Sequence, residues 1–326
     1  TLTLEVPSHF VREHIESHYI DLLRKVLLRE LGKNFKLIYN VRIVGDSYVC
    51  TPEKGREKPV NREISLMGDA QRFTGSAYIF PGIRKQVIDP NLNPNYDFES
   101  FIEGECNRFG RSAGIDIAQN PGKGPFNPLF IYGAPGLGKT HLAQAIGIAV
   151  KEKYPEKIVL YVSANTFVSQ FMEHAGVGNK IPDFLRFYQS IDVLIIDDVH
   201  EFAEKKGSQN AFFQIFSYMQ QSQKQLIFTS DKPPVELQGL DQRILSRFKW
   251  GLSVELTMPD YRTKLAILRA KCFKEGIEIP ENVLEYIADN VKSNVRELEG
   301  AIITLIAQAT FMKREITIEM ARNLIE

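Results

Sequence analysis

Apolar positions change their period along this chain, and the changes divide it into four stretches. Leu2, Leu4 and Val6 alternate with polar neighbours, the period of a strand with one buried face. Phe10, Val11, Ile15, Tyr19, Leu22 and Leu23 then recur at helical spacing, with Ser8 placed to cap the start. Residues 35–49 return to strand-like alternation. Residues 1–50 therefore read as a small α/β unit, too short to bury a large core of its own. Over 51–90 the period is lost. Thr51-Pro52-Glu53-Lys54-Gly55-Arg56-Glu57-Lys58-Pro59 is charged and broken by Pro and Gly, the composition of a tether. The part over 73–88 is more apolar and suits a docking segment.

From about residue 91 short apolar runs alternate with helical stretches. Runs at 128–132, 157–162, 191–196, 226–229 and 253–256 read as strands, and 140–153 as a helix stopped by Tyr154-Pro155. Strands separated by helices need crossover connections, which predicts a parallel sheet covered on both faces. After Pro259 the strand signal ends. Residues 260–274, 280–291, 294–311 and 317–325 read as four helices, with Asp260 and Ser293 or Asn294 at starts and Gly276 at a stop. The expected fold is α/β. It comprises a parallel sheet flanked by helices over 91–256, an all-helical lobe over 257–326, a small α/β domain over 1–50 and a linker over 51–90.

Composition narrows the class. The 326 residues are 44% hydrophobic and 25% charged, as in ordinary globular chains. Forty Lys+Arg balance forty Asp+Glu, which argues against a chain dominated by a basic nucleic-acid-binding domain while leaving room for a local basic site. Cys50, Cys106 and Cys272 are far apart and form no CxxC pair, so reduced thiols in a cytoplasmic protein are expected, not a zinc site or a disulfide framework. No run of about 18 apolar residues predicts a membrane span. The chain opens on Thr1 with a strand-like pattern that is not a signal peptide, the look of a trimmed start.

Candidate chemistry concentrates after the first core strand. Gly133-Ala134-Pro135-Gly136-Leu137-Gly138-Lys139-Thr140 matches GxxxxGK[ST] between a strand and a helix, the context that a phosphate loop requires, and His141 follows directly. Glycines let backbone amides approach anionic oxygens, and the helix start adds the positive end of a dipole. Lys139 is placed for the β/γ-phosphates of ATP or ADP and the Thr140 hydroxyl for Mg2+. Val193-Leu194-Ile195-Ile196 ends in Asp197-Asp198. At the carboxyl end of a parallel strand, Asp197 is expected beside the loop as a metal group and Asp198 as a group that polarises water. Ser230-Asp231 follows the next strand and could meet the γ-phosphate; it also suits a turn into Pro233-Pro234. Arg243 and Arg247, four apart, share a helical face, and Arg296 lies in the first turn of a lobe helix. Spacing alone leaves each of these arginines open between a solvated position and a phosphate contact.

GAPGLGKTHL, LIIDDVHEF, FTSDKPP, DQRILSRFKWGL and SNVRELEGAI, in that order, resemble the bacterial chromosomal replication initiator family DnaA, whose core is an AAA+ ATPase. The resemblance covers about residues 91–326, and more weakly 1–50, which look like the later part of that family's N-terminal interaction domain. It implies that Asn95 and Tyr96, in the entry to the core, lie against adenine. Asp231 takes the first sensor position and Arg296 the second. Arg247 takes the place of an arginine finger acting on the ATP of an adjacent subunit, and Arg243 that of an arginine supporting the subunit contact. Phe171 to Phe187, with Val177, Lys180 and Arg186, resembles the initiator-specific helical insertion, which implies contact with single-stranded DNA through Val177 and Lys180.

The same resemblance implies ATP-driven head-to-tail self-assembly, slow hydrolysis to ADP as an off switch, origin opening, and the replicative helicase as a partner of the N-terminal domain. The family's final domain reads duplex origin boxes. This chain ends at Glu326 with no basic helical pair to replace it, so duplex reading is expected to need a domain absent here. A related AAA+ helicase loader and a non-hydrolysing nucleotide-binding adaptor are the alternative readings. Residues 1–50 distinguish the first, and phosphate release the second.

Overall fold

The computed structural model describes residues 2–6, 37–41, 88–176, 180–312 and 315–325. The chain divides into two units, Thr1–Gly75 and Ser76–Glu326. In the first, strands β1 (Leu2–Val6) and β2 (Leu37–Val41) pair in parallel, Leu2 opposite Leu37 and Val6 opposite Val41. The helix expected after Ser8, the rest of the strand-like stretch to residue 49 and the tether at 51–87 lie outside the described residues.

Among the described residues of the second unit the first regular element is helix α1 (Arg108–Gln119), which the sequence reading does not single out. Strand β3 (Leu129–Tyr132) leads into α2 (Lys139–Lys153), and β4 (Val159–Ser163) into the helical pair α3 (Ala164–Gly176) and α4 (Ile181–Ser190). After β5 (Val193–Asp197) come a single 3-10 turn, Val199–Phe202, and α5 (Lys206–Gln221). Strand β6 (Gln225–Ser230), helix α6 (Gln242–Trp250) and β7 (Leu252–Glu255) complete the α/β part. The five strands form one parallel sheet in the order β4-β5-β6-β3-β7. Each expected core strand is present, with ends shifted by one or two residues.

Alternation along the strands explains the layering. Phe130, Leu194, Ile196, Leu226 and Phe228 face one side, where they meet Phe167, Phe184, Tyr188, Phe212, Phe216 and Phe248 from the helices. Leu129, Ile131, Val193, Ile195 and Ile227 face the other, against Ile117, Leu142, Ile146 and Val150. Successive side chains of a strand point to opposite faces, so runs apolar at every position belong in a sheet covered twice. The first layer is held by rings. Phe212 lies 5.1 Å from Phe202, stacked, and 5.6 Å from Phe228, edge-on, within the distances at which aromatic pairs gain beyond their area.

After Leu256 the chain is helical: α7 (Tyr261–Glu275), α8 (Glu281–Asn290), α9 (Val295–Met312) and α10 (Ile318–Ile325). They enclose their own core of Leu268, Val283, Leu284, Ile287, Leu298, Ile302, Leu305 and Ala321. The caps follow the sequence signals. Asp260 Oδ1 accepts from the Thr263 amide at 2.8 Å, and Asn294 Oδ1 from the Glu297 amide at 2.9 Å, which resolves the choice between Ser293 and Asn294. Gly276 ends α7 with φ of 67°, where a side chain would be strained.

Phe212→Ala is expected to lower the unfolding free energy by roughly 3–5 kcal/mol through lost burial and a residual cavity. Phe273→Ala, at an exposed position, is expected to change it by less than about 0.5 kcal/mol. Urea unfolding followed by circular dichroism distinguishes the two.

Candidate functional site

The loop between β3 and α2 is shaped by glycines. Gly133, Gly136 and Gly138 have φ of 148°, 78° and 92°, the region that only glycine enters without strain. A Cβ on Gly133 would lie 2.2 Å from the Leu256 carbonyl oxygen, so this position has neither the conformation nor the room for another residue. Gly138 begins α2, and no side chain caps it. The first-turn amides of an α-helix have no intrahelical acceptor. Left uncapped and preceded by positive-φ glycines, they form a concave donor surface at the positive end of the helix dipole. That surface fits a phosphate group.

Strand order brings three more segments to this loop. β6 lies between β3 and β5, so the carboxyl ends of all three meet. Lys139, buried at the start of α2, donates to the Gly133 carbonyl at 2.8 Å and the Ala134 carbonyl at 3.0 Å, and pairs with Asp231 Oδ1 at 2.8 Å. Asp197, at the end of β5, is 5% exposed and accepts three hydroxyls. Thr140 Oγ1 donates to Oδ2 at 2.8 Å and Tyr161 Oη to the same oxygen at 2.7 Å, while Thr229 Oγ1 donates to Oδ1. Burial, and then the Asp197 charge, pushes the Tyr161 phenol well above its ordinary range, so it remains a donor.

Asp198 turns away from the strand with φ of 57° and ψ of 50°, and its amide donates to Thr229 Oγ1 at 2.9 Å. Burial, followed by the neighbouring Asp197 charge, raises the Asp198 carboxyl above the usual carboxylate range. A raised value makes it a better proton acceptor than an ordinary aspartate. Thr140 and Asp197 offer hard oxygen donors of the kind that Mg2+ takes. Among the described residues no group of three or more His, Cys, Asp or Glu could hold a metal alone. One carboxylate and one hydroxyl completed by phosphate oxygens is a usual Mg2+ arrangement.

The other wall is aromatic. His141 stacks on Tyr96 with centroids 4.9 Å apart and meets Phe101 edge-on at 5.2 Å. Its Nε2 lies 3.0 Å from the Asp97 carbonyl oxygen and 3.2 Å from Ser100 Oγ. Burial lowers the His141 value. The Asn93 amide donates to Gln144 Oε1 at 2.7 Å and the Asn95 amide to Asn93 Oδ1 at 3.0 Å, which ties the segment before α1 to the phosphate helix.

The helical lobe reaches the loop directly. The Val295 amide donates to the Gly136 carbonyl at 3.1 Å, and a Cβ on Gly136 would meet Asn294 Oδ1 at 2.8 Å. Arg296, one residue on, is exposed. Arg243 and Arg247 stand away from the loop, against α5. Arg243 bonds Asp241 and Asn210, Arg247 bonds Gln220, and both guanidiniums lie over Phe213, at 4.9 and 5.6 Å from its centroid. Lys180 is exposed at the start of α4, its amide donating to the His174 carbonyl at 3.0 Å; Val177 lies outside the described residues. The structure thus gathers Gly133–Thr140, His141, Tyr96, Asn95, Asp197, Asp198 and Asp231 in one place. It leaves Arg243, Arg247 and Lys180 elsewhere.

Residues 92–255 match the family model of the bacterial DnaA ATPase domain. The chromosomal replication initiator protein DnaA of Flavobacterium psychrophilum is 50% identical over 332 residues, a span of 100% of this chain and 69% of that protein. The chain belongs to the bacterial DnaA replication initiator family. Among solved structures, domain III of the DnaA of Thermotoga maritima is 38% identical with a TM-score of 0.69, over 72% of this chain and 97% of that one. A replication initiator DnaA bound to AMPPCP and single-stranded DNA is 36% identical with a TM-score of 0.62, over 68% of this chain and 69% of that one. The parallel sheet with its flanking helices is the AAA+ fold. Among the described residues no helix is long and apolar enough to cross a membrane.

Sequence reasoning on this DnaA relative does not find Tyr161, Thr229 or His200. Tyr161 alternates within β4 like any strand residue, and Thr229 is one polar residue in an apolar run. Only the pairing of neighbouring strands brings them to Asp197. His200 Nε2 lies 3.7 Å from Asp231 Oδ2, a proximity across two loops that no local pattern carries.

The lowered His141 value sets a stability trend. As pH falls below about 6.5, the unfolded chain binds a proton that the folded chain refuses, so stability drops until the folded value is reached. Between about pH 7 and 5.5 the urea midpoint of the wild type is expected to fall more than that of His141→Gln. Equal slopes in the two proteins would exclude His141 as the source.

Proposed function

We propose that this chain is an ATP-dependent replication initiator in which nucleotide state controls self-assembly. The observation that supports this most is the cluster of Lys139, Thr140 and Asp197 under an uncapped helix start. In this reading ATP lies between the α/β core (91–256) and the helical lobe (257–326). The amides from Gly133 through Thr140 cradle its phosphates, and Lys139 carries their charge. Asn95, Tyr96 and His141 flank the base. Thr140 and Asp197 would hold Mg2+, which would supply charge neutralisation at the phosphate oxygens. Asp198 accepts a proton from the attacking water, and Asp231 orients that water and the γ-phosphate. Hydrolysis is slow and serves as the off switch.

The arginines connect this site to assembly. Arg296 reports the γ-phosphate to the lobe, Arg247 reaches the nucleotide of the adjacent subunit, and Arg243 supports that contact. The placement of Arg243 and Arg247 against α5, away from their own phosphate loop, suits residues that act across a subunit boundary. A head-to-tail contact that does not close generates an open helix. Repetition of Val177 and Lys180 along it would hold single-stranded DNA through many weak, salt-sensitive contacts and promote origin opening. One subunit alone, in a chain of zero net charge, would bind DNA weakly. Residues 1–50 serve as the interaction domain for the replicative helicase, 51–90 as linker, and the protein works in the cytoplasm.

Two measurements test the reading. Asp198→Asn is expected to lower the rate of phosphate release by about a hundredfold or more. The acid limb of the wild-type profile should lie above that of an ordinary aspartate, about 3.9. A rate unchanged by the substitution, or no release by either protein, would favour the adaptor. In sedimentation, ATP but not ADP is expected to assemble the wild type, and neither to assemble Arg247→Ala. Equal assembly of both proteins with either nucleotide would sink the proposal.

A further inference from the structure

His200 has no role in the reading above, yet it stands at the site. It lies in the 3-10 turn that follows β5, two residues past Asp198. Its Nδ1 is buried and meets no hydrogen-bond partner among the described residues. Its Nε2 faces Asp231 Oδ2 at 3.7 Å and Glu201 at 4.0 Å. The first separation is beyond a direct hydrogen bond, and a movement of about 0.8 Å would make it one. Asp231 therefore has a neighbouring nitrogen for each oxygen: Lys139 Nζ at Oδ1, in contact, and His200 Nε2 at Oδ2, within reach.

This arrangement matters because Lys139 is fully engaged. An ammonium has three donors, and here they go to the Gly133 carbonyl, the Ala134 carbonyl and Asp231. An arriving phosphate must take at least one of them. The Asp231 carboxylate is the competitor that costs most to leave in place, because it sets a negative charge against an incoming anion around the same ammonium. Moved away from Lys139, it would be a half-buried carboxylate in need of a donor, and a buried charge without a partner is expensive. On the other side of the carboxylate, His200 Nε2 stands 3.7 Å from Oδ2.

We propose that His200 is a positioning residue that receives Asp231 when a nucleotide's phosphates claim Lys139. Lys139 exchanges a carboxylate for a phosphate, and Asp231 exchanges an ammonium for an imidazole N–H. No bond other than hydrogen bonds is broken or formed. The inference rests on the nucleotide reading of this site and adds to it a step that controls how readily the site opens to its ligand.

A double-mutant cycle on the 326-residue chain tests it, with ATP affinity read by calorimetry and folding checked by thermal melting. His200→Phe removes the donor and is expected to weaken ATP binding about tenfold. His200→Gln, which can donate from a similar position, is expected to recover most of that loss. In the Asp231→Asn background no carboxylate needs a new partner, so His200→Phe should have little further effect. A His200→Phe protein that binds as the wild type does, or the same loss in both backgrounds, would overturn the inference alone. A loss that Gln does not recover would also overturn it, because a merely structural ring would behave that way. A folded wild type that binds no ATP would overturn the nucleotide reading and this inference with it.

Discussion

A single buried carboxylate holds the site together. Asp197 receives hydroxyl groups from Thr140 in the phosphate helix, Tyr161 in β4 and Thr229 in β6, while standing itself at the end of β5. Four segments, distant in sequence, are thereby fixed to within a hydrogen bond of one another. An ionised carboxylate accepts and cannot donate, so it suits a position surrounded by hydroxyls. Its burial would be costly without them. The short, β-branched side chains of Thr140 and Thr229 hold few rotamers, so the arrangement is stiff where the phosphate loop needs support.

Sheet topology makes this convergence possible. In an open parallel sheet, groups placed after the strands collect along one edge. With β6 between β3 and β5, the loop after β3 and the acids after β5 are bridged by a strand that contributes to both. Thr229 shows the bridging directly. It donates to Asp197 and accepts from the Asp198 amide, which holds Asp198 in its left-handed turn. The aromatic layer beneath, centred on Phe212 and Phe228, keeps β6 and its neighbours in register against α5 and α6.

Local patterns in the sequence carry much of this. The strands were legible because their apolar runs are short and bounded. The phosphate-loop motif was legible because glycine spacing encodes a backbone conformation, and Gly133, Gly136 and Gly138 have positive φ values. Asp260, Asn294 and Gly276 cap helices for reasons contained within four residues. Tyr161, Thr229 and His200 were not legible, because each gains its meaning from a neighbour on another strand or loop. The arginines lie between these cases. Their helical spacing put Arg243 and Arg247 on one face, but the shared ring of Phe213 beneath them is a tertiary fact. The buried residues of the helix at 108–119, Gly110, Ala113, Gly114, Ile117 and Ala118, do recur at helical spacing, but only Ile117 is large, so the stripe is easy to pass over among apolar runs.

The bond from the Val295 amide to the Gly136 carbonyl has a mechanical meaning. That carbonyl and the Leu137 amide are two ends of one rigid peptide plane. Any ligand that rotates the amide rotates the carbonyl by the same angle, and the first turn of α9 is attached to it. The helical lobe is therefore geared to the phosphate loop through a coupling one peptide wide. A rotation of that plane alone, without movement of the loop as a whole, would be felt at this bond.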